Sequence, residues 1–421
     1  MLPLVYWTVG ALVAVGHGLA LVTSGAGDPE RRRRLREKLG LWEGQGAGPW
    51  IWVHGASVGE TAMAVALAEA LGARVPGTRL VVSSTTATGR AVSAASGSVE
   101  SRYFPIDFGP LVTRLVKSNP PRLFVAVETE IWPATLAVLG AAGVPAAFAN
   151  ARLSDRSLAR YRRLRRWLAP LLGKVALVCA RDEESARRWR ELGARTEAVV
   201  VCGDLKFDLA PAAKEGAARL GLDTGVGSEV VLAASTHAGE EEVVLEAFAD
   251  LLAARPGLRL LLAPRHPERA AAVLALARSA GRRAAAWSEG SGSDVEVIVL
   301  DRMGLLGEAY SASAAAFVGG SLVEGPGGHN LLEPVMAGCP VAAGPRLGNV
   351  PEQAEVLRSC AALRVVSDAG ELSKFWTEVL EGPGEFVKAA GRARAAVEAR
   401  RGATARTVEA LLPLLHPGGA A

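Results

Sequence analysis

Short apolar runs alternate with amphipathic stretches along this chain, and the alternation happens twice. Strand-like runs fall at Trp50–His54, Leu80–Ser83, Leu123–Val127, Ala146–Ala149 and Val175–Cys179. A second series falls at Val230–Ala234, Leu258–Ala263, Val297–Leu300, Ala315–Val318 and Val341–Ala343. The clearest helix between them is Glu240–Ala253, where Val243, Val244, Ala247, Phe248, Leu251 and Leu252 share one face at a period of 3.6. Alternation of this kind predicts an α/β fold of parallel sheets with right-handed crossovers. The pattern restarts near Glu229, after a Gly-, Ala- and Asp-rich stretch from Asp208 to Ser228. We therefore expect two Rossmann-like domains, residues 28–210 and 229–421, joined by a linker at 211–228. A helical stretch from Glu385 to Leu414 is long enough to cross back onto the first domain.

Half of the 421 residues are apolar, enough for two cores. The net charge is only +4, and much of it sits in one run, Arg31-Arg32-Arg33-Arg34-Leu35-Arg36-Glu37-Lys38. That is not the spread of basic and aromatic residues that follows a nucleic acid, so no nucleic-acid partner is expected. Cys179, Cys202, Cys339 and Cys360 form no C-x-x-C pair and have no His at metal spacing. They read as structural thiols, and no metal site is expected.

Leu2 to Thr23 carries no charge, and the first charged residue is Asp28. Twenty-two residues span roughly 33 Å as a helix, close to the thickness of a bilayer's hydrocarbon. The basic run follows this stretch rather than preceding it, unlike a secretory signal. Residues 1–27 are therefore expected to anchor the chain to a membrane, spanning it or lying on it, with the remainder on the cytoplasmic side. The neighbouring arginines favour anionic lipid head groups.

In open α/β sheets, ligands bind at the carboxyl ends of the strands. After Trp50–His54 comes a Gly-rich turn leading into a helix, with Glu60 in its first turn. There the helix dipole favours a negative charge, which fits either a general base or a cap. Glu128 and Glu130 follow the strand Leu123–Val127, beside a Trp-Pro turn. Lys206 falls near the domain boundary, where a lone lysine is ordinarily solvated. In the second half Pro264 and Arg265 end a strand, and Arg265 can address a phosphate. Another strand ends in the glycine-rich loop Gly319–Gly328, which leads toward a helix near Asn330. Its backbone N–H groups suit a phosphate, and Glu333 one turn on suits two ribose hydroxyls. His237 lies at a third loop-to-helix turn and fits either lining or capping.

Seven segments in order carry a resemblance: HGASVGE, ETEIWP, NARLSDRS, GDLKFD, ASTHAGEE, PRHPER and GGSLVEGPGGHNLLEP. Together they resemble the 3-deoxy-D-manno-octulosonic acid (Kdo) transferases of lipopolysaccharide assembly. Those are membrane-anchored, inverting glycosyltransferases of the GT-B fold, two Rossmann-like domains facing an interdomain cleft. The resemblance covers nearly the whole chain. It implies a CMP-Kdo donor, a lipid A precursor (lipid IVA) as acceptor, no cofactor, no metal, and a place at the cell inner membrane. It puts the catalytic base on Glu60 and transition-state stabilisation on Glu130 and Lys206. CMP contacts fall on Pro264, Arg265, Gly304, Leu305, Leu306, Asn330, Leu331, Leu332 and Glu333. Three departures stand out. Leu305 occupies a position that is usually acidic, with Glu308 one turn later. Ala134 stands where Asn is usual. The glycine loop is one residue longer, and Leu331 replaces a customary Pro. Two other readings use the same fold: a UDP-sugar transferase or epimerase, and a membrane-anchored binding protein that has lost catalysis.

Overall fold

The computed structural model describes residues 4–23, 28–43, 46, 48–117, 119–209, 220, 230–290, 292 and 294–415. The chain divides into two compact units, Met1–Leu209 with Arg400–Ala421, and Ala210–Ala399. The expected linker, 211–228, lies outside the described residues except for Leu220.

In the first unit seven strands form one parallel sheet: β1 (Trp50–His54), β2 (Arg79–Ser84), β3 (Glu100–Tyr103), β4 (Leu123–Val127), β5 (Ala146–Ala151), β6 (Leu177–Ala180) and β7 (Val199–Val201). Their order is β3-β2-β1-β4-β5-β6-β7. β1 is an interior strand and every one of its residues is buried, as expected for a strand covered on both faces. Trp50 and Trp52 face a core with Trp42, Phe104, Phe124 and Phe148. Ile51 and Val53 face a second core with Met63, Leu67, Val125 and Val408. Val408 belongs to the helix Ala403–Leu411, whose apolar side covers the first unit's sheet. The crossing-back expected of the C-terminal helix is thus present. The continuous helix Glu385–Leu414 is not, because the chain breaks at Gly402 (φ 87°) between Pro383–Glu398 and Ala403–Leu411. As a compact unit, the second domain ends at Ala399 rather than at residue 421.

The second unit repeats the plan with β8 (Val230–Thr236), β9 (Arg259–Pro264), β10 (Ala284–Ala286), β11 (Val297–Val299), β12 (Ala315–Val318), β13 (Val341–Ala343) and β14 (Leu363–Val365). The strand order is β10-β11-β9-β8-β12-β13-β14, again all parallel. The helix Glu240–Ala254 buries Val244, Ala247, Phe248, Leu251 and Leu252, with Val243 at the margin. Among the described residues, the four cysteines are free thiols. Among the same residues one helix, Leu4–Thr23, is long and apolar enough to cross a membrane.

Trp52 is fully buried, meets Phe124 edge-on at 4.8 Å, and donates its indole N–H to Ser83 Oγ at 2.7 Å. Trp52→Ala is expected to lower unfolding free energy by about 3–5 kcal/mol in a urea titration. The exposed Val58→Ala should change it by about 0.5 kcal/mol or less.

Candidate active site

Each sheet has a switch point, where neighbouring strands send their following helices in opposite directions and leave a crevice at the carboxyl ends. In the first unit this lies between β1 and β4, and in the second between β8 and β12. HGASVGE and ETEIWP emerge at the first, ASTHAGEE and GGSLVEGPGGHNLLEP at the second, while NARLSDRS, GDLKFD and PRHPER come at the ends of β5, β7 and β9.

After β1 the chain turns through Gly55 into the helix Val58–Gly72. A Cβ on Gly55 would lie 2.5 Å from the Glu60 carbonyl carbon, so only glycine permits this close a turn. Glu60 folds back over that turn. Its Oε2 accepts from the backbone N–H groups of Ala56 (2.7 Å) and Ser57 (3.2 Å), while Ser57 Oγ accepts from Glu60 N–H (3.3 Å). This reciprocal pair is a capping box. Both bonds to the carboxylate fall on Oε2; among the described residues no protein group donates to Oε1. The capping reading of Glu60 is thus present through one oxygen, and the other oxygen is unengaged.

Directly after β4 comes Glu128, whose φ of 63° is a left-handed conformation rare outside glycine. Asn150 in β5 (φ 51°) shares it, and Ser235 near the end of β8 (φ 55°) repeats it in the second unit. Glu128 does not stand as a surface carboxylate, because its Oε1 meets Lys206 Nζ at 2.9 Å. Lys206 is itself placed by two neighbours. Asn150 Oδ1 accepts from Leu205 N–H at 2.9 Å, and Asp204 Oδ1 accepts from Lys206 N–H at 3.0 Å. It is thus an ion-paired, largely covered lysine in the first unit rather than a solvated boundary residue.

Glu130 is held up to about 7, first by burial and then by the charges of Glu60 and Glu128; the nearby Trp132 indole partly offsets this. Below it sits His54, fully buried, with Nδ1 3.0 Å from both the carbonyl and the hydroxyl of Ser83. The carbonyl can only accept, so Nδ1 carries the proton. Burial drives the ring down to about 3, which keeps it neutral. Its Nε2 lies 3.9 Å from Glu130 Oε2 without a hydrogen bond. Ala134, where the family usually has Asn, is buried and donates its N–H to Asp107 Oδ2 at 3.0 Å.

In the second unit a cavity of about 290 Å³ is lined by Ser235, Pro264, Arg265, Gly304, Leu305 and Glu333, among others. Six of the nine expected nucleotide contacts meet there, since Leu306 lines it as well. Asn330, Leu331 and Leu332 do not line it. Leu331 and Leu332 are buried at the start of the short helix Leu332–Met336, and Asn330 Nδ2 donates to Glu333 Oε1 at 3.1 Å. Leu305 is 4% exposed and packs with Leu300, Ala309 and Tyr310. Glu308 is buried and does not line the cavity, so it does not stand in for the acidic residue usual at 305.

The glycine loop is organised by a residue that periodicity passed over. Glu240, fully buried, accepts from the N–H groups of His237 (2.9 Å), Gly320 (2.7 Å), Ser321 (2.9 Å) and Leu322 (2.9 Å). Glu241 beside it accepts from Arg269 (2.7 Å) and the Thr236 hydroxyl (3.0 Å). The sequence signal was the doubled Glu in ASTHAGEE, two carboxylates at the start of an otherwise apolar helix. His237 Nε2 lies 2.8 Å from His329 Nε2, with the rings parallel. Burial lowers both, His329 to about 4. Gly320 makes room for this pair, for a Cβ there would lie 2.7 Å from the His329 ring. Among the described residues, no three His, Cys, Asp or Glu side chains converge to hold a metal ion.

Residues 33–209 match the family model described as 3-Deoxy-D-manno-octulosonic-acid transferase (kdotransferase). The 3-deoxy-D-manno-octulosonic acid transferase of Haemophilus influenzae is 34% identical over 399 residues, 92% of this chain and 93% of that protein. The enzyme of the same name from Bordetella pertussis is 36% identical over 377 residues, 86% of each. Among solved structures, the UDP-GlcNAc 2-epimerase of Neisseria meningitidis shares the fold, with a TM-score of 0.55 at 14% identity, covering 87% of this chain and all of that one. The chain therefore belongs to the 3-deoxy-D-manno-octulosonic acid transferase family, glycosyltransferases of the GT-B fold.

Proposed function

We propose that the chain moves Kdo from CMP-Kdo onto a lipid A precursor, lipid IVA, by a single inverting displacement without a metal, at the cell inner membrane. Glu60 takes the proton from a primary hydroxyl of the acceptor's glucosamine disaccharide. The hydroxyl oxygen bonds to the donor's anomeric carbon as the bond to the CMP oxygen breaks, and CMP leaves with that electron pair from the opposite face. The observation that carries this reading is the geometry of Glu60, one oxygen fixed by two backbone N–H groups and the other unengaged, at the switch point of the first sheet. Fixing one oxygen aims the other without reorganisation during reaction.

Glu130 and Lys206 take supporting roles. A carboxyl held near neutrality beside Glu60 spares the site a further full negative charge. Lys206, with Glu128 as its counter-ion, offers a positioned cation for the donor carboxylate or the leaving phosphate. Arg265 and the cavity around Gly304 suit the nucleotide phosphate, and Glu333 suits the ribose.

Glu60→Ala should abolish transfer, read by mass spectrometry of the lipid product, while CMP affinity stays within about twofold. Wild-type turnover by that variant would remove Glu60 from its role. CMP at a hundred times its Kd should stabilise the protein by about 2.7 kcal/mol, and UDP at the same concentration much less; the reverse order would favour a UDP-sugar enzyme. Glu130→Gln should also slow transfer, and its stability has a definite sign. A carboxyl whose folded value is raised costs the folded state as pH climbs from its ordinary value, 4.5, through about 7. The variant should therefore gain on the order of 2 kcal/mol relative to wild type between pH 4.5 and pH 8, measured by urea unfolding.

A further inference from the structure

An apolar helix of twenty residues crosses a bilayer only if its ends reach opposite water layers. The first end of Leu4–Thr23 is instead held by the globular unit, and the helix that follows its second end is held by the same unit. At the first end the Tyr6 hydroxyl donates to Asp107, and Trp7 meets Phe108 edge-on at 6.1 Å. Gly10 lies so close that an added Cβ would come within 3.2 Å of the Phe108 ring. Asp107 is in turn locked, accepting from the N–H groups of Ala134 (3.0 Å) and Thr135 (2.7 Å) at the start of the helix Pro133–Ala141.

At the other end the chain passes to the helix Pro29–Lys38, which Leu4–Thr23 contacts. That helix is fixed to the same segment of the first unit. Glu30 Oε1 accepts from Arg90 and from the Tyr103 hydroxyl, both at 3.0 Å, and Glu37 Oε2 accepts from Tyr103 N–H at 2.7 Å. Lys38 O accepts from Ile106 N–H at 2.8 Å. Residues 24–28, which join the helices, reach no more than about 20 Å. Tyr103–Gly109 thus touches the first turns of one helix and the length of the other. A spanning helix would put Tyr6 about 25 Å from the basic surface. It would also drag the Asp107 carboxylate into hydrocarbon, at a prohibitive desolvation cost.

We infer that Leu4–Thr23 lies in the plane of the membrane, a one-leaflet anchor seated on an anionic lipid surface. The face turned from the globular unit carries Val5, Val9, Leu12 and Leu19, between 54% and 72% exposed and spaced as one helical stripe. Trp7 and Gly10, which meet the protein, fall on the other side. Half of the large exposed apolar side chains among the described residues belong to this helix. The next helix exposes Arg31, Arg32, Arg33 and Arg34, which selects lipids with negative head groups. This orientation holds whichever nucleotide sugar and acceptor the enzyme uses.

The test is the depth of nitroxide labels on the full chain bound to vesicles. Val5→Cys, Leu12→Cys and Leu19→Cys are made singly with Cys360→Ser, since the other three cysteines are buried. On phosphatidylcholine vesicles containing phosphatidylglycerol, the three labels should share one depth, about 5–10 Å below the phosphates. A gradient with Val5 and Leu19 about 21 Å apart along the membrane normal would establish a spanning helix and overturn the inference. Labels that stay in water on bound protein would overturn it too. Replacing Arg31, Arg32 and Arg34 by Gln should weaken partitioning onto the anionic vesicles roughly tenfold or more and leave binding to pure phosphatidylcholine unchanged. Equal loss on both would refute selection of anionic lipid.

Discussion

A sheet covered on both faces can offer chemistry only at its strand ends, and the candidate site residues of this chain obey that restriction. The buried middles of β1, β4, β8 and β12 admit no water, so charged groups collect where the strands stop. There the backbone is bent to suit them. Glu128, Asn150 and Ser235 each adopt a left-handed conformation at a strand end, an arrangement that persists only because the packed sheet beneath enforces it.

The two switch points are equipped differently. At the first, carboxylates are crowded until one of them stays near neutrality, with a lysine balancing another. At the second, a carboxylate is taken wholly inside and gathers four backbone N–H groups of the surrounding loops, so that Glu240 shapes a glycine loop without facing a ligand.

Much of this was legible in the sequence, and the parts that were not share physical causes. The ten strands expected all form. The four that were missed, β3, β7, β10 and β14, are the outermost strands of the two sheets. An edge strand is short and half-exposed, as Glu100–Tyr103 and Leu363–Val365 show, so it lacks the continuous apolar run that marks a buried one. Glu60, Arg265 and the glycine loop could be singled out because each follows a recognisable strand. Glu240 and Glu128 were not given their parts, since a carboxylate's partners here lie some 80 residues away in sequence and no periodicity records them. The break at Gly402 was hidden because alanine-rich sequence on either side is equally helical.

Burial favours the uncharged form of both His237 and His329, and in that form their facing Nε2 atoms, 2.8 Å apart, hold one proton between them. Whichever ring donates through Nε2 must present a bare Nδ1, and its partner must then present Nδ1–H. The two outer nitrogens are thus complementary by necessity, one receptive and one giving. Passing the shared proton, with compensating exchange at the outer positions, would interchange them while the rings stay still. The turn that joins these two loops thereby acquires two polarities within one shape.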